Sequence, residues 1–292
     1  DDSFKNHILF KKLSKIEKSW FQEDTLDKWR HYRMLDPIKA FISKNSTWLT
    51  IGDGRFGTEA HYIEKHGGRA HASDINIELL EKSKEMGFIT EYSAQNAENL
   101  LFESNKFDYV LIKEAVHHFE KPWKGLYEAF RVAKKGVILI EPNDNDPFKS
   151  GLRKKLFNSF KFWIKFFLKR SPNKYSYTFE EVGNFVYSLN NRELEKFILG
   201  MNHNHYAYKQ LNDYYYQGVE FVKVDFPHLK DYLKIFKLRF NIFILDSLTT
   251  LGFTESNLTQ VVLFKKSPSP SILKKMENYN WNYRILPLNP YI

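Results

Sequence analysis

The chain has 292 residues, a net charge of +9 at pH 7, 42% hydrophobic and 17% aromatic residues, and no cysteine. That length buries a sizeable core in one enlarged domain or one domain with an appended cap. Without cysteine, a disulfide scaffold and a thiolate metal site are excluded, and no run of about 18 apolar residues suggests a membrane span. No charged-then-apolar leader opens the sequence, so a cytoplasmic location is expected. Eight of the positive charges fall between Phe148 and Arg170, with no acid among them. The excess charge therefore describes one element, and no nucleic-acid partner is expected.

Residues 1–46 read as an N-terminal helical cap, with helices over Asp24–Met34, capped by Asp24 or Thr25, and Ile38–Ser43 after Pro37. From Thr47 strands and helices alternate. Trp48–Ile51 is an apolar strand, and a helix follows from about Thr58 to His66, stopped by Gly67. A strand at Ala70–Ser73, a helix over Ile77–Met86 ending at Gly87 and a strand near Ile89–Tyr92 come next. Phe107–Ile112 is a strand, Trp123–Ala133 a helix and Val137–Glu141 an almost wholly apolar strand. Strands apolar on both faces and separated by helices predict a doubly wound, mostly parallel α/β sheet covered on both sides, with residues 47–147 as its core.

After Pro142 the alternation stops. Residues 148–228 read as a helical, aromatic and basic insertion after the fifth strand, with a capping-box pattern at Thr178 and Glu181. Within it, Phe148–Arg170 is amphipathic, its lysines opposite an apolar face. The pattern suits either a lid over the site or contact with an anionic membrane surface. Residues 229–266 supply a long helix from Leu229 to Leu251 and a closing strand at Val261–Phe264, and residues 267–292 form a C-terminal tail.

The sharpest local feature is Gly52-Asp53-Gly54-Arg55-Phe56-Gly57, between an apolar strand and a helix. Glycines there permit a tight turn and close approach of the backbone to a ligand, and helix N-terminal N–H groups attract electronegative atoms. Asp74 lies twenty positions after Gly54, at the end of the next strand, where a carboxylate accepts from ribose hydroxyls. Together they favour a nucleoside-containing ligand over a plain turn.

The segments that follow narrow the ligand. Asn96-Ala97-Glu98-Asn99-Leu100 comes after the third strand and Phe107-Asp108-Tyr109-Val110 opens the fourth. That strand ends in Lys113-Glu114-Ala115-Val116-His117-His118-Phe119, and the fifth ends at Glu141-Pro142. In order and spacing this set resembles the class I S-adenosylmethionine-dependent methyltransferases, closely over Trp48–Pro142 and more loosely over Gly252–Lys266. The resemblance implies a Rossmann-like methyltransferase fold with S-adenosyl-L-methionine as cofactor and S-adenosyl-L-homocysteine as product. It places Gly52, Gly54 and Gly57 along the methionine part, Asp74 on the ribose, and Ile75 against the adenine. Asn96, beside Ala97, would bond the adenine amino group, and Lys113 and Glu114 would floor the site between cofactor and acceptor. Two positions depart from the family's pattern. Thr50 stands where an acidic residue usually helps hold the methionine ammonium, with Asp53 as a nearby substitute, and Asn96 replaces the commoner aspartate.

A hydroxyl acceptor needs its proton removed, a task suited to a neutral histidine. Of the adjacent pair, His118 is the first candidate base and His117 the packed or capping partner; Glu114 and Glu141 are rivals. Aromatic residues such as Tyr206, Tyr208, Tyr214, Tyr215 and Tyr216 suit stacking on a sugar as well as a helical core. The leading expectation is therefore methylation of a polar small molecule, first an oxygen of a sugar or sugar-bearing metabolite. An N-methyltransferase, a lipid-directed methyltransferase using the basic stretch, a nicotinamide-dependent oxidoreductase and a non-catalytic cofactor-binding protein are the alternatives. The oxidoreductase lacks a Tyr-x-x-x-Lys arrangement after the fourth strand. His203-Asn204-His205 has no acidic or cysteine cluster beside it, so no metal site is expected. In the cap, Trp29, Arg30, His31, Tyr32 and Arg33 form a polar-aromatic group, and an arginine there would suit the methionine carboxylate.

Overall fold

The computed structural model describes residues 19–144, 179, 185–225 and 228–291. Helix α1 (Leu26–Leu35) opens at Thr25, whose hydroxyl accepts from the Lys28 amide as an N-cap. It is followed by β1 (Thr47–Ile51), α2 (Thr58–Lys65), β2 (Arg69–Asp74), α3 (Glu78–Glu85), β3 (Glu91–Ala94) and β4 (Phe107–Lys113). Then come α4 (Pro122–Val132), β5 (Ala133–Pro142), α5 (Asn191–Gly200) and β6 (His205–Leu211). The long α6 (Leu229–Thr250), β7 (Leu258–Phe264), α7 (Pro270–Asn278) and β8 (Asn282–Ile285) complete the order.

One eight-stranded sheet runs β3-β2-β1-β4-β5-β7-β6-β8. The first five strands are parallel, and β7, β6 and β8 add antiparallel pairs. This is the doubly wound, mostly parallel sheet that the strand–helix alternation predicts, in the Rossmann-like form that the family resemblance implies. The order reverses at β1, which lies between β2 and β4. The crevice outside the carboxyl ends of those strands is where open α/β sheets take ligands. Two apolar layers flank the sheet, one including Trp48, Tyr62, Tyr109 and Phe264, the other Leu49, Val110, Phe130 and Tyr206.

Two parts differ from the sequence reading. The described part of residues 148–228 is not wholly helical, because β6 fills the sheet between β7 and β8. In β6 the period is two: Tyr206 packs into one apolar layer and Ala207 into the other. Residues 267–292 are more than a tail. Ser269 caps α7 by accepting from the Ile272 amide, Met276 enters the core, and Trp281 Nε1 donates to the Pro37 carbonyl at 3.0 Å. The basic stretch Phe148–Arg170 and the Thr178/Glu181 pair lie outside the described residues. No described helix is long and apolar enough to cross a membrane.

Candidate active site

The loop after β1 turns back sharply, with Gly52 at φ +75° and its amide donating to the Ser73 carbonyl at 2.9 Å. A Cβ on Gly52 would lie 2.4 Å from the Ala115 Cβ, so the glycine lets the loops after β1 and β4 touch. Gly57, at φ +67°, instead seats the start of α2 against Ile89 and Ala72. These loops border a cavity of about 970 Å³ at the carboxyl edge of the sheet, near the upper end of the ~300–1,000 Å³ usual for small-molecule sites. Gly52, Gly54, Asp74, Ile75, Asn96 and Ala97 all line it. The Asp74 carboxylate is steadied by the Asn76 amide at 2.9 Å, and the Asn96 side-chain oxygen accepts from the Glu98 amide at 2.9 Å.

Thr50, Asp53 and Gly57 do not line the cavity. The Thr50 hydroxyl donates to Asp53 Oδ2 at 2.8 Å, and Asp53 accepts the Glu59 and Ala60 amides at 3.2 and 2.9 Å. Asp53 is thus spent on the open N-terminus of α2, and burial together with the Glu59 charge pushes its pKa well up. The carboxylate that does reach the cavity here is Glu59, in the first turn of α2. Sequence reading passed over it. Its place one residue inside a helix that starts on the glycine loop was the available signal.

Glu59 belongs to a buried ionic cluster. Lys113 Nζ lies 3.4 Å from Glu59 Oε1, 2.8 Å from Glu114 Oε2 and 2.9 Å from His31 Nδ1. Burial pushes the Glu114 carboxyl up, but Lys113 and the arginines outweigh it and hold its pKa at about 2. Glu114 is therefore a fixed anion at neutral pH and too weak a base to take a proton from a hydroxyl. Burial also lowers the Lys113 pKa, and the two glutamates more than restore it.

His31, from α1, sits where the cationic groups converge. Arg55 Nη1 and Arg30 Nη2 approach its Nε2 at 2.7 and 3.1 Å, opposite Lys113 at Nδ1. Burial, then Lys113 and the arginines, push the His31 pKa well below its ordinary value. A neutral imidazole has only one acceptor nitrogen, so on one side an N–H faces a cation. Arg30 is anchored to Asp27 and Asp213, and Arg55 lies over the Trp20 ring at 4.7 Å.

At the other end of the cavity, β4 and β5 set up a dyad. His117 Nδ1 is 2.8 Å from Glu141 Oε2, while Glu141 Oε1 accepts the Ala115 and Val116 amides, both at 2.9 Å. With Glu141 as the acceptor, a neutral His117 would carry its proton on Nδ1 and its lone pair on Nε2. Glu141 is 1% exposed and does not line the cavity, whereas His117 and His118 both do. Of the two histidines, His117, expected to be the packed partner, is the one that Glu141 holds. Phe185 and Tyr187 stand beside this end, their rings 5.0 Å apart, with the Tyr187 amide donating to the His117 carbonyl at 3.4 Å. Tyr206, Tyr208, Tyr214, Tyr215 and Tyr216 are absent from the lining; Tyr206 and Tyr208 pack on the sheet and Tyr214 and Tyr216 against α6.

Residues 49–140 match the model of the methyltransferase domain family. The matched stretch is the one whose motifs carry the resemblance to the class I S-adenosylmethionine-dependent methyltransferases. The chain is 29% identical over 149 residues to the ubiquinone/menaquinone biosynthesis C-methyltransferase UbiE of Brucella abortus (strain S19). The alignment covers 47% of this chain and 55% of that relative, so the chain spans about half the length of the curated relatives it matches. Among solved structures, a possible histamine N-methyltransferase from Thermotoga maritima superposes with a TM-score of 0.47 at 15% identity, covering 91% of this chain and 98% of that one. Phosphoethanolamine N-methyltransferase 2 of Haemonchus contortus, in complex with S-adenosylhomocysteine, gives 0.48 at 16% identity, covering 81% and 53%. The fold is read from the chain's own sheet order. Among its described residues, no group of three or more histidines or acidic residues is placed to hold a metal ion.

Proposed function

We propose that this methyltransferase uses S-adenosyl-L-methionine to methylate an oxygen of a polar, ring-bearing small molecule, with a sugar hydroxyl the first class to test. The observation that carries the reading is His117, held at Nδ1 by buried Glu141 on the wall of the cavity that the glycine loop also lines. The residues fit the cofactor. Gly52 and Gly54 put the loop backbone on the cavity wall, and Asp74 and Asn96 offer polar groups for ribose and adenine. Arg30 and Arg55 offer cations for a carboxylate, and Glu59 and Glu114 offer anions for an ammonium. Bound there, the cofactor supplies an electrophilic methyl group on a sulfonium.

The chain's own part is to hold the acceptor in line and to take its proton. His117 Nε2 would take the hydroxyl proton that the acceptor oxygen loses on methylation, the sulfonium's S–CH3 bond breaking to leave the thioether S-adenosylhomocysteine, and Glu141 would stabilise the imidazolium. Phe185 and Tyr187 give the acceptor's ring an apolar wall. The test is methyl transfer from labelled cofactor to a panel of sugar and phenolic acceptors. His117→Gln is expected to lower turnover by about 10²–10⁴-fold with little change in S-adenosylhomocysteine affinity, the range for a lost general base, and His118→Gln to lower it less. The reverse ranking would remove His117 from the role. A second reading, methylation at an acidic carbon, is favoured by the match to C-methyltransferases of quinone biosynthesis. The same base serves it, and the carbon-13 shift of the transferred methyl separates the two products.

A further inference from the structure

Helix α6 is apolar on two opposite sides. Asp231, Leu238 and Ile242 are buried toward the protein, where Leu238 and Ile242 pack with Leu26, Val219 and Val222. On the other side Leu229, Leu233, Phe236, Phe240, Phe243 and Ile244 are 39–88% exposed. At about 100° per residue these six share an arc of roughly 100°, opposite the buried face, over a length of about 22 Å. Taking about 200 Å² for each large side chain, they expose on the order of 700 Å² of apolar surface. That exceeds the few hundred Å² usual on a monomeric soluble protein.

Alongside the stripe the exposed charges are cationic, and the half-exposed Asp246 lies just beyond its end, 4.0 Å from Arg33. Lys230, Lys234 and Lys237 run along one edge and Arg239 along the other, all exposed. Between Leu229 and Leu245 the only acid is Asp231, which is buried and paired with Lys234 at 3.1 Å. An apolar stripe with cations on both flanks matches an anionic lipid surface, whose acyl boundary takes the phenylalanines and whose headgroups take the lysines. Packing of α6 against its counterpart in a second copy would bring these cation rows together with no exposed acid in this stretch to offset them.

We infer that α6 lies on the surface of an anionic phospholipid bilayer and holds the protein there without crossing it. The surface is separate from the cavity, so it does not depend on the catalytic reading. It also differs from the basic stretch at Phe148–Arg170, on which it does not rely.

The test is flotation of the full chain with phosphatidylcholine vesicles, with and without ~30% phosphatidylserine. Expected results are at least tenfold tighter partitioning to the anionic vesicles, weakened by 0.5 M salt. The triple variant Phe236→Ser, Phe240→Ser and Phe243→Ser should lose at least tenfold, while its melting temperature and its cofactor binding match the parent's. These positions are exposed, so folding is expected to be retained. Lys230→Glu with Lys237→Glu should abolish the preference for anionic lipid. Equal partitioning of parent and triple variant would overturn the inference. So would a stable dimer in light scattering that the triple variant dissolves and that vesicles do not.

Discussion

Glu141→Gln isolates what the His117 dyad contributes, because it changes charge and hydrogen count while keeping shape. The amide oxygen replaces Oε1, which accepts the Ala115 and Val116 N–H groups at 2.9 Å. The amide nitrogen is then forced to face His117 Nδ1, 2.8 Å from the present Oε2. Both cannot donate, so His117 adopts the other tautomer, with its proton on Nε2 toward the acceptor. Turnover should fall about 10²–10⁴-fold, the range for a base held in the wrong protonation state. The lost charge-assisted bond should cost about 1.5–3 kcal/mol of stability, a drop of several degrees in melting temperature. Nitrogen-15 shifts of the imidazole read the tautomer directly and need no acceptor. S-adenosylhomocysteine affinity should stay within about twofold, since Glu141 does not line the cavity. The reasoning fails if the variant keeps the Nδ1–H tautomer and full turnover, or if turnover and cofactor affinity fall together.

Gly52→Ala should fold poorly or lose cofactor binding by more than tenfold, because its Cβ would lie 2.4 Å from the Ala115 Cβ at a φ of +75°; melting curves and calorimetry check it, and an unchanged variant would contradict the close-packed loop. Lys113→Met should raise the Glu114 pKa from about 2. A depressed carboxylate stabilises the fold fully above its ordinary pKa of 4.5 and loses that contribution as pH falls toward about 2. The variant should therefore start from a lower melting temperature at pH 7 and lose less of it between about pH 4.5 and 2 than the parent does, and acid limbs of equal steepness would refute the ion cluster.

Much of the core was legible because its signals are local. Strands with both faces buried read as apolar runs, and the glycine loop, Asp74 and the Lys113–Phe119 segment lie in one stretch. The late strands were harder. In His205–Leu211 Tyr206 and Tyr208 share one layer while Ala207 and Leu211 enter the other, so a strand buried on both faces resembled a helical aromatic patch. Asn282–Ile285 is an edge strand with little apolar pattern to announce it. The site divides the same way. Residues on the loops after β1, β2 and β3 reach the cavity, whereas Asp53 is diverted to cap α2 and Glu59 takes the nearby cavity position. The pairing of His117 with Glu141 depends on the register of β4 against β5, which a linear sequence does not display. The convergence of Arg30, His31, Arg55 and Lys113 needs α1 to fold over the sheet edge, a contact across more than eighty residues between His31 and Lys113.

The central claim is that the cavity at the glycine loop takes S-adenosylmethionine and its product. Calorimetric titration of the full chain with S-adenosylhomocysteine, and separately with NAD, tests it most directly. The account predicts saturable binding of S-adenosylhomocysteine at one site per chain and none of NAD. Asp74→Ala should weaken the binding by about 1–3 kcal/mol, the usual loss for charge-assisted hydrogen bonds. Absence of S-adenosylhomocysteine binding to the parent, or binding of NAD in its place, would contradict it.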